Sequence, residues 1–84
     1  MSKLNAREAQ KAIFDYTKKD SRVFTYPISA LGWSYIITKE SGREVTGQVV
    51  GQALRRFEYN GFTPTPVEHD HFGGREWLMV RNGE

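Results

Sequence analysis

The segment Val45 to Tyr59, VTGQVVGQALRRFEY, sets Val49, Val50, Ala53, Leu54 and Phe57 at helical spacing. At about 100° per residue these five side chains share one face. The opposite face carries Gln48, Gly51, Gln52, Arg55 and Tyr59. Thr46 is the expected N-cap, and Asn60-Gly61 the expected stop, with Gly61 in the left-handed position after the cap. Gly47 and Gly51 each cost this helix up to about 1 kcal/mol relative to alanine, and both allow another helix or a phosphate chain to approach its backbone.

The remaining pattern is read in the same way. Asn5 to Lys19 predicts a helix with an Asn5/Glu8 capping box, a stripe of Ala6, Ala9, Ala12, Ile13 and Tyr16, and Lys18 and Lys19 at its C-terminal end. Arg22 to Tyr26 is β-branched and aromatic and predicts a short strand ended by Pro27. Ile28 to about Glu40 is ambiguous. Ser29 could cap a helix containing Leu31, Tyr35 and Ile36, whereas Trp33, Tyr35 and Ile37 alternate as in a strand. The length favours helix. Ser41-Gly42 marks a turn. Phe62 to His69, with Pro64 and Pro66, suits an edge strand, and Arg75 to Arg81 alternates as a second strand. His69 to Gly74 joins the two, with Gly73-Gly74 as the tight-turn signature.

Composition narrows the picture. The 84 residues make one domain spanning 1–84, with 38% hydrophobic and 13% aromatic residues to build its core. The absence of cysteine excludes disulfides, zinc-thiolate sites and thiol nucleophiles. No apolar run approaches the ~20 residues of a membrane span, and MSKLNAREAQ lacks the apolar stretch of a signal peptide. The expectation is a soluble, cytoplasmic protein without membrane association. The net charge of +2 permits nucleic-acid binding without requiring it.

Candidate chemistry centres on the polar face of the 46–59 helix. Gln and Arg have the paired donors and acceptors that read base edges in a DNA groove, so Gln48, Gln52 and Arg55 are candidate readers. The plain alternative is a solvated helix face. A shortage of acid on it favours the DNA reading, since acid would repel phosphate; only Glu58 lies near its far end. Tyr59 falls with this face and could stack on sugar or support a dimer contact. Glu68-His69-Asp70-His71 holds four potential metal ligands, but a polar hairpin loop without metal is the preferred reading. His69 and His71 would charge near pH ~6 and strengthen phosphate contact. There is no GxxxxGK loop, HExxH motif or nucleophile elbow, so neither enzyme activity nor a cofactor is expected.

The order helix, strand, helix, turn, helix, strand, hairpin loop, strand resembles the winged helix-turn-helix superfamily. The likeness covers Asn5 to Arg81 and rests on TGQVVGQALRRFEYNGF followed by a Gly-Gly hairpin and EWLMV. It implies an α+β fold of three helices with a small antiparallel β-hairpin wing. It also implies a recognition helix at 46–59, a wing at 69–75, and phosphate contacts from Arg43, Thr46 and Arg75, with Lys39 a weaker candidate. The function so implied is a small regulator of transcription that binds double-stranded DNA, as a homodimer or beside a protein partner. The residues leave a rival open: a module of the same shape that binds another protein, or an accessory inhibitor of a larger machine, and does not touch DNA.

Overall fold

The computed structural model describes residues 3–68 and 75–82. Within them the chain is α+β, with three helices on a three-stranded antiparallel sheet, an order compatible with the winged-helix arrangement. Helix α1 (Ala6–Lys19) begins at a complete capping box: the Asn5 side chain accepts from the Glu8 N–H at 2.8 Å, and the Glu8 carboxylate accepts from the Asn5 N–H at 3.1 Å. Strand β1 (Ile28–Ser29) leads into α2 (Ala30–Ser41), and α3 is Gly47–Arg55. Strands β2 (Phe62–Glu68) and β3 (Arg75–Arg81) complete the sheet in the order β1-β3-β2.

Burial follows the periodicities. Trp77 and Met79 of β3 point into the core, and Val80 is exposed. Beside them, Pro64 and Pro66 lie opposite Met79 and Trp77 on an edge strand, where a missing N–H costs no ladder bond. A single cluster joins Ala9 and Ile13 of α1, Trp33 and Ile37 of α2, Val50, Ala53 and Leu54 of α3, and Phe62, Trp77 and Met79 of the sheet. Val49 and Phe57 are half-buried against it. Both tryptophans therefore belong to the core, as their size suggests.

The link between α2 and α3 is held by local bonds. Gly42 closes α2 at φ 74°, with its N–H donating to the Thr38 carbonyl at 3.0 Å. Val45 is buried, and its N–H donates to Thr38 Oγ1 at 3.3 Å, which fixes where α3 starts.

Several sequence expectations are corrected. The strand expected at 22–26 is a 3₁₀ turn, Ser21–Phe24. Asp20 accepts from the Arg22 N–H, and its carboxylate takes the Arg22 guanidinium at 2.9 and 2.8 Å, so a local side chain outcompetes a ladder. The strand comes later, at Ile28–Ser29, where Ile28 faces Trp77 and Ser29 faces Glu76. Ser29 does cap α2, accepting from the Gly32 N–H at 2.9 Å. Trp33 and Ile37, however, supply its buried stripe, and Leu31 and Tyr35 are 73% and 70% exposed. Helix α3 stops at Arg55 rather than Tyr59. Gly61 does adopt a positive φ of 116°, but it introduces β2 instead of capping the helix.

Candidate nucleic-acid interface

Helix α3 is started by Thr46, whose side chain accepts from the Val49 N–H at 3.2 Å. That start sets Val50, Ala53 and Leu54 inward and leaves Gln48, Gln52 and Arg55 exposed along the other side. Gln48, Gln52 and Arg55 meet Arg75 at the start of β3 around a groove of about 530 Å³, floored by Trp77 and bounded by Ala30, Gly47 and Gly51. Among the described residues no carboxylate lines it. A Cβ at Gly51 would meet nothing within 4 Å, and one at Gly47 would stand 3.6 Å from the Leu31 backbone, an ordinary contact. Packing within the chain thus does not require either glycine, and the Gly51 side of the helix is open.

Four of the expected site residues are therefore together: Gln48, Gln52, Arg55 and Arg75. Thr46 stands exposed at the helix start. Arg43 is drawn elsewhere. Its guanidinium reaches the Glu8 carboxylate at 3.4 Å and the Lys3 carbonyl at 3.5 Å, tying the α2–α3 link to the start of α1. The Asn5 N–H, and after it the Arg43 guanidinium, hold the Glu8 carboxyl below its ordinary range. Tyr59 is also displaced. Beyond the end of α3 it stacks on Phe14, with ring centres 4.7 Å apart, and it does not continue the polar face. His69, His71 and the Gly73-Gly74 turn lie outside the described residues. Among the described residues no group of three metal-ligating side chains forms, and no helix is long and apolar enough to cross a membrane.

The structure adds two cations to those expected at the site. Arg7 and Arg56 line a second cleft of about 220 Å³ with Gln52 and Glu58, on the other flank of α3. Gln52 borders both clefts, so the polar face of α3 runs between Arg55 and Arg75 on one side and Arg7 and Arg56 on the other. One sequence signal existed for Arg7. It occupies the first turn of α1, where the helix dipole disfavours a cation.

Several basic side chains are held in ion pairs away from the α3 groove. Lys11 pairs with Asp15, Lys19 with Glu40, Arg22 with Asp20 and Arg43 with Glu8. Among the described residues, Arg7, Arg55, Arg56 and Arg75 take part in none of these pairs. The arrangement can offer amide and guanidinium donors to a base edge and further guanidinium groups to phosphates on either side.

Comparison of the chain with protein-family models, curated proteins and solved structures finds no match.

Proposed function

We propose that this chain is a winged-helix protein that binds double-stranded DNA and regulates transcription, inserting α3 into the major groove. The observation that supports this reading most is the convergence of Gln48, Gln52, Arg55 and Arg75, from a helix and a distant strand, on one groove without acid among its described residues. The dimensions agree: an α-helix with its side chains is roughly 10–12 Å across, and the major groove, about 12 Å wide, admits one. Gln48, Gln52 and Arg55 would read bases. Thr46, Arg7, Arg56 and Arg75 would hold phosphates on the two flanks, which orients the helix without reading sequence. So small a footprint calls for a dimer or a neighbouring protein to reach useful specificity.

The test is a salt-dependent anisotropy titration on duplexes selected from a random pool. Replacing Gln52 and Arg55 together by alanine should lower discrimination between selected and random duplex by about 1–3 kcal/mol for each bidentate pairing removed. Arg75→Ala should weaken all duplexes alike and reduce the salt slope by about one unit. Absence of duplex binding at about 50 mM salt would overturn the reading, because phosphate contacts are strongest there.

One observation favours the second reading, a module that binds protein instead. Leu31 and Tyr35 stand a turn apart on α2 and are the two most exposed large apolar side chains among the described residues. Under that reading Leu31→Ala with Tyr35→Ala would abolish function in vivo, and Arg75→Ala would leave it intact.

A further inference from the structure

At the other end of β3 lies a separate concavity of about 500 Å³. Arg75 and Arg81 end the same strand, and six steps at ~3.3 Å put them roughly 20 Å apart. The groove beside α3 and this notch are therefore distinct surfaces. The walls of the notch are Phe14, Phe24 and Phe62, and its rim carries Lys18 and Arg81. Among the described residues no carboxylate lines it.

Both cations lie over rings. Lys18 Nζ lies 4.6 Å from the centre of the Phe14 ring, and the Arg81 guanidinium carbon lies 3.9 Å from that of Phe24. Cation–π attraction of this kind biases long side chains toward their rings, so a ligand meets charges already partly ordered. Neither cation is in an ion pair among the described residues.

The same contacts decide between ligand classes. Phe14 is stacked by Tyr59 as well as capped by Lys18, and Phe24 carries Arg81 while meeting Phe62 edge-on at 5.5 Å. A nucleobase stacks on a free aromatic face, and Tyr59, Lys18 and Arg81 already lie over Phe14 and Phe24. What remains on offer is a guanidinium fork, an ammonium and an apolar wall. A carboxylate matches the fork in two-point geometry, and a neighbouring apolar side chain matches the wall.

We propose that this notch docks an acidic linear segment of a partner protein, with one carboxylate on Arg81, a second on Lys18 and an apolar side chain against Phe14 and Phe24. The assignment does not depend on DNA binding at α3, and its test uses different residues and a different probe.

The probe is a fluorescein-labelled peptide, Asp-Glu-Leu-Phe-Glu-Asp, titrated with the full chain at low salt and compared with its Asn/Gln counterpart. The acidic peptide should bind at least about tenfold more tightly than the neutral one, as expected for removal of a charge-assisted bond. Arg81→Gln should weaken it about tenfold and Lys18→Gln about threefold, with Arg55→Gln unchanged. Arg81→Lys keeps a cation over Phe24 without the fork and should fall between. Thermal melts of each variant distinguish a missing ligand bond from a loosened fold. Equal affinity for the two peptides, or an Arg81→Gln variant that binds as the parent does, would overturn the proposal. So would oligothymidylate binding that vanishes with Lys18→Gln and Arg81→Gln, since the notch would then belong to nucleic acid.

Discussion

Gln10 determines where the candidate reading helix ends, and replacing it offers a quantitative check on the fold behind the site. The side chain is 7% exposed. Its Nε2 donates to the Arg56 carbonyl at 2.8 Å, and its Oε1 accepts from the Glu58 N–H at 3.2 Å. One amide thus satisfies two backbone groups released where α3 stops. Gln10→Leu retains the bulk and removes both bonds. At about 1 kcal/mol net per bond the loss is about 2 kcal/mol. It stops short of the full penalty for buried unpaired groups, because both bonds are only part-buried. For a domain of this size that loss lowers Tm by roughly 8–16 °C. Gln10→Glu retains the acceptor for the Glu58 N–H but sets a nearly buried carboxylate oxygen against the Arg56 carbonyl, so at neutral pH its loss should be at least as large as that of Gln10→Leu. Urea denaturation followed by far-UV circular dichroism measures the difference. The near-UV signal should also weaken, because Phe14, Phe57, Tyr59 and Phe62 cluster beside this connection. A Gln10→Leu protein within about 0.5 kcal/mol of the parent would refute the reasoning, since that is the scatter of surface substitutions.

Two glycines should respond in opposite directions. Gly51→Ala, in a helix and with open space at its Cβ position, should stabilise the fold by about 0.5–1 kcal/mol, and Gly61→Ala, at φ 116°, should destabilise it by about 1–3 kcal/mol; thermal melts give both. Acid should unfold the protein partly through Asp20 and Glu8. The Arg22 side chain and N–H hold the Asp20 carboxyl well below its ordinary 3.8, and the Asn5 N–H, then Arg43, lower that of Glu8 from 4.5. Each therefore binds fewer protons folded than unfolded, so its contribution is present above those ordinary values and is lost as pH falls through the depressed ones. Urea midpoints between about pH 7 and about pH 2 should show a shallower acid decline for Asp20→Asn than for the parent, and an unchanged slope would refute the attribution.

How far the fold could be read depended on the range of the interactions. The Asn5/Glu8 box, the Ser29 and Thr46 caps and the alternation of Arg75 to Arg81 act over a few residues, and each stands where the pattern put it. The errors share a cause. Phe57 completes a helical stripe with Val50 and Leu54, so the local pattern carries α3 onward to Tyr59. The bonds that stop it come from Gln10, 46 positions from Arg56. Once α3 stops, Tyr59 is able to stack on Phe14 and leaves the polar face. Arg43 departs from expectation for the same reason, its partner Glu8 being 35 positions away. The Arg22 to Tyr26 stretch failed differently: a strand-like composition was overruled by the short reach of Asp20. Within the site, Gln48, Gln52 and Arg55 were legible because one helix carries them all. The addition of Arg7 required α1 to cross beside α3, which no local pattern contains.

A net charge of +2 is a weak guide to what this surface attracts, because a sum ignores position. The acids Glu8, Asp15, Asp20 and Glu40 each hold a basic partner, and all four pairs lie away from the α3 groove. Pairing neutralises those regions locally, and two concavities are left with cations and no carboxylate among their described lining residues. One is the amide- and guanidinium-lined groove beside α3, and the other is the phenylalanine notch beyond Arg81. The two should differ in their response to salt. A duplex releases condensed counterions for each phosphate neutralised, so affinity at the groove falls as a power of salt set by the number of contacts. A short peptide carries no such condensed atmosphere, and its apolar contact with the phenylalanines is insensitive to screening. A protein holding both ligands should therefore release DNA well before the peptide as salt rises. Release of both with the same slope would mean that one continuous electrostatic surface, rather than two separate sites, holds them.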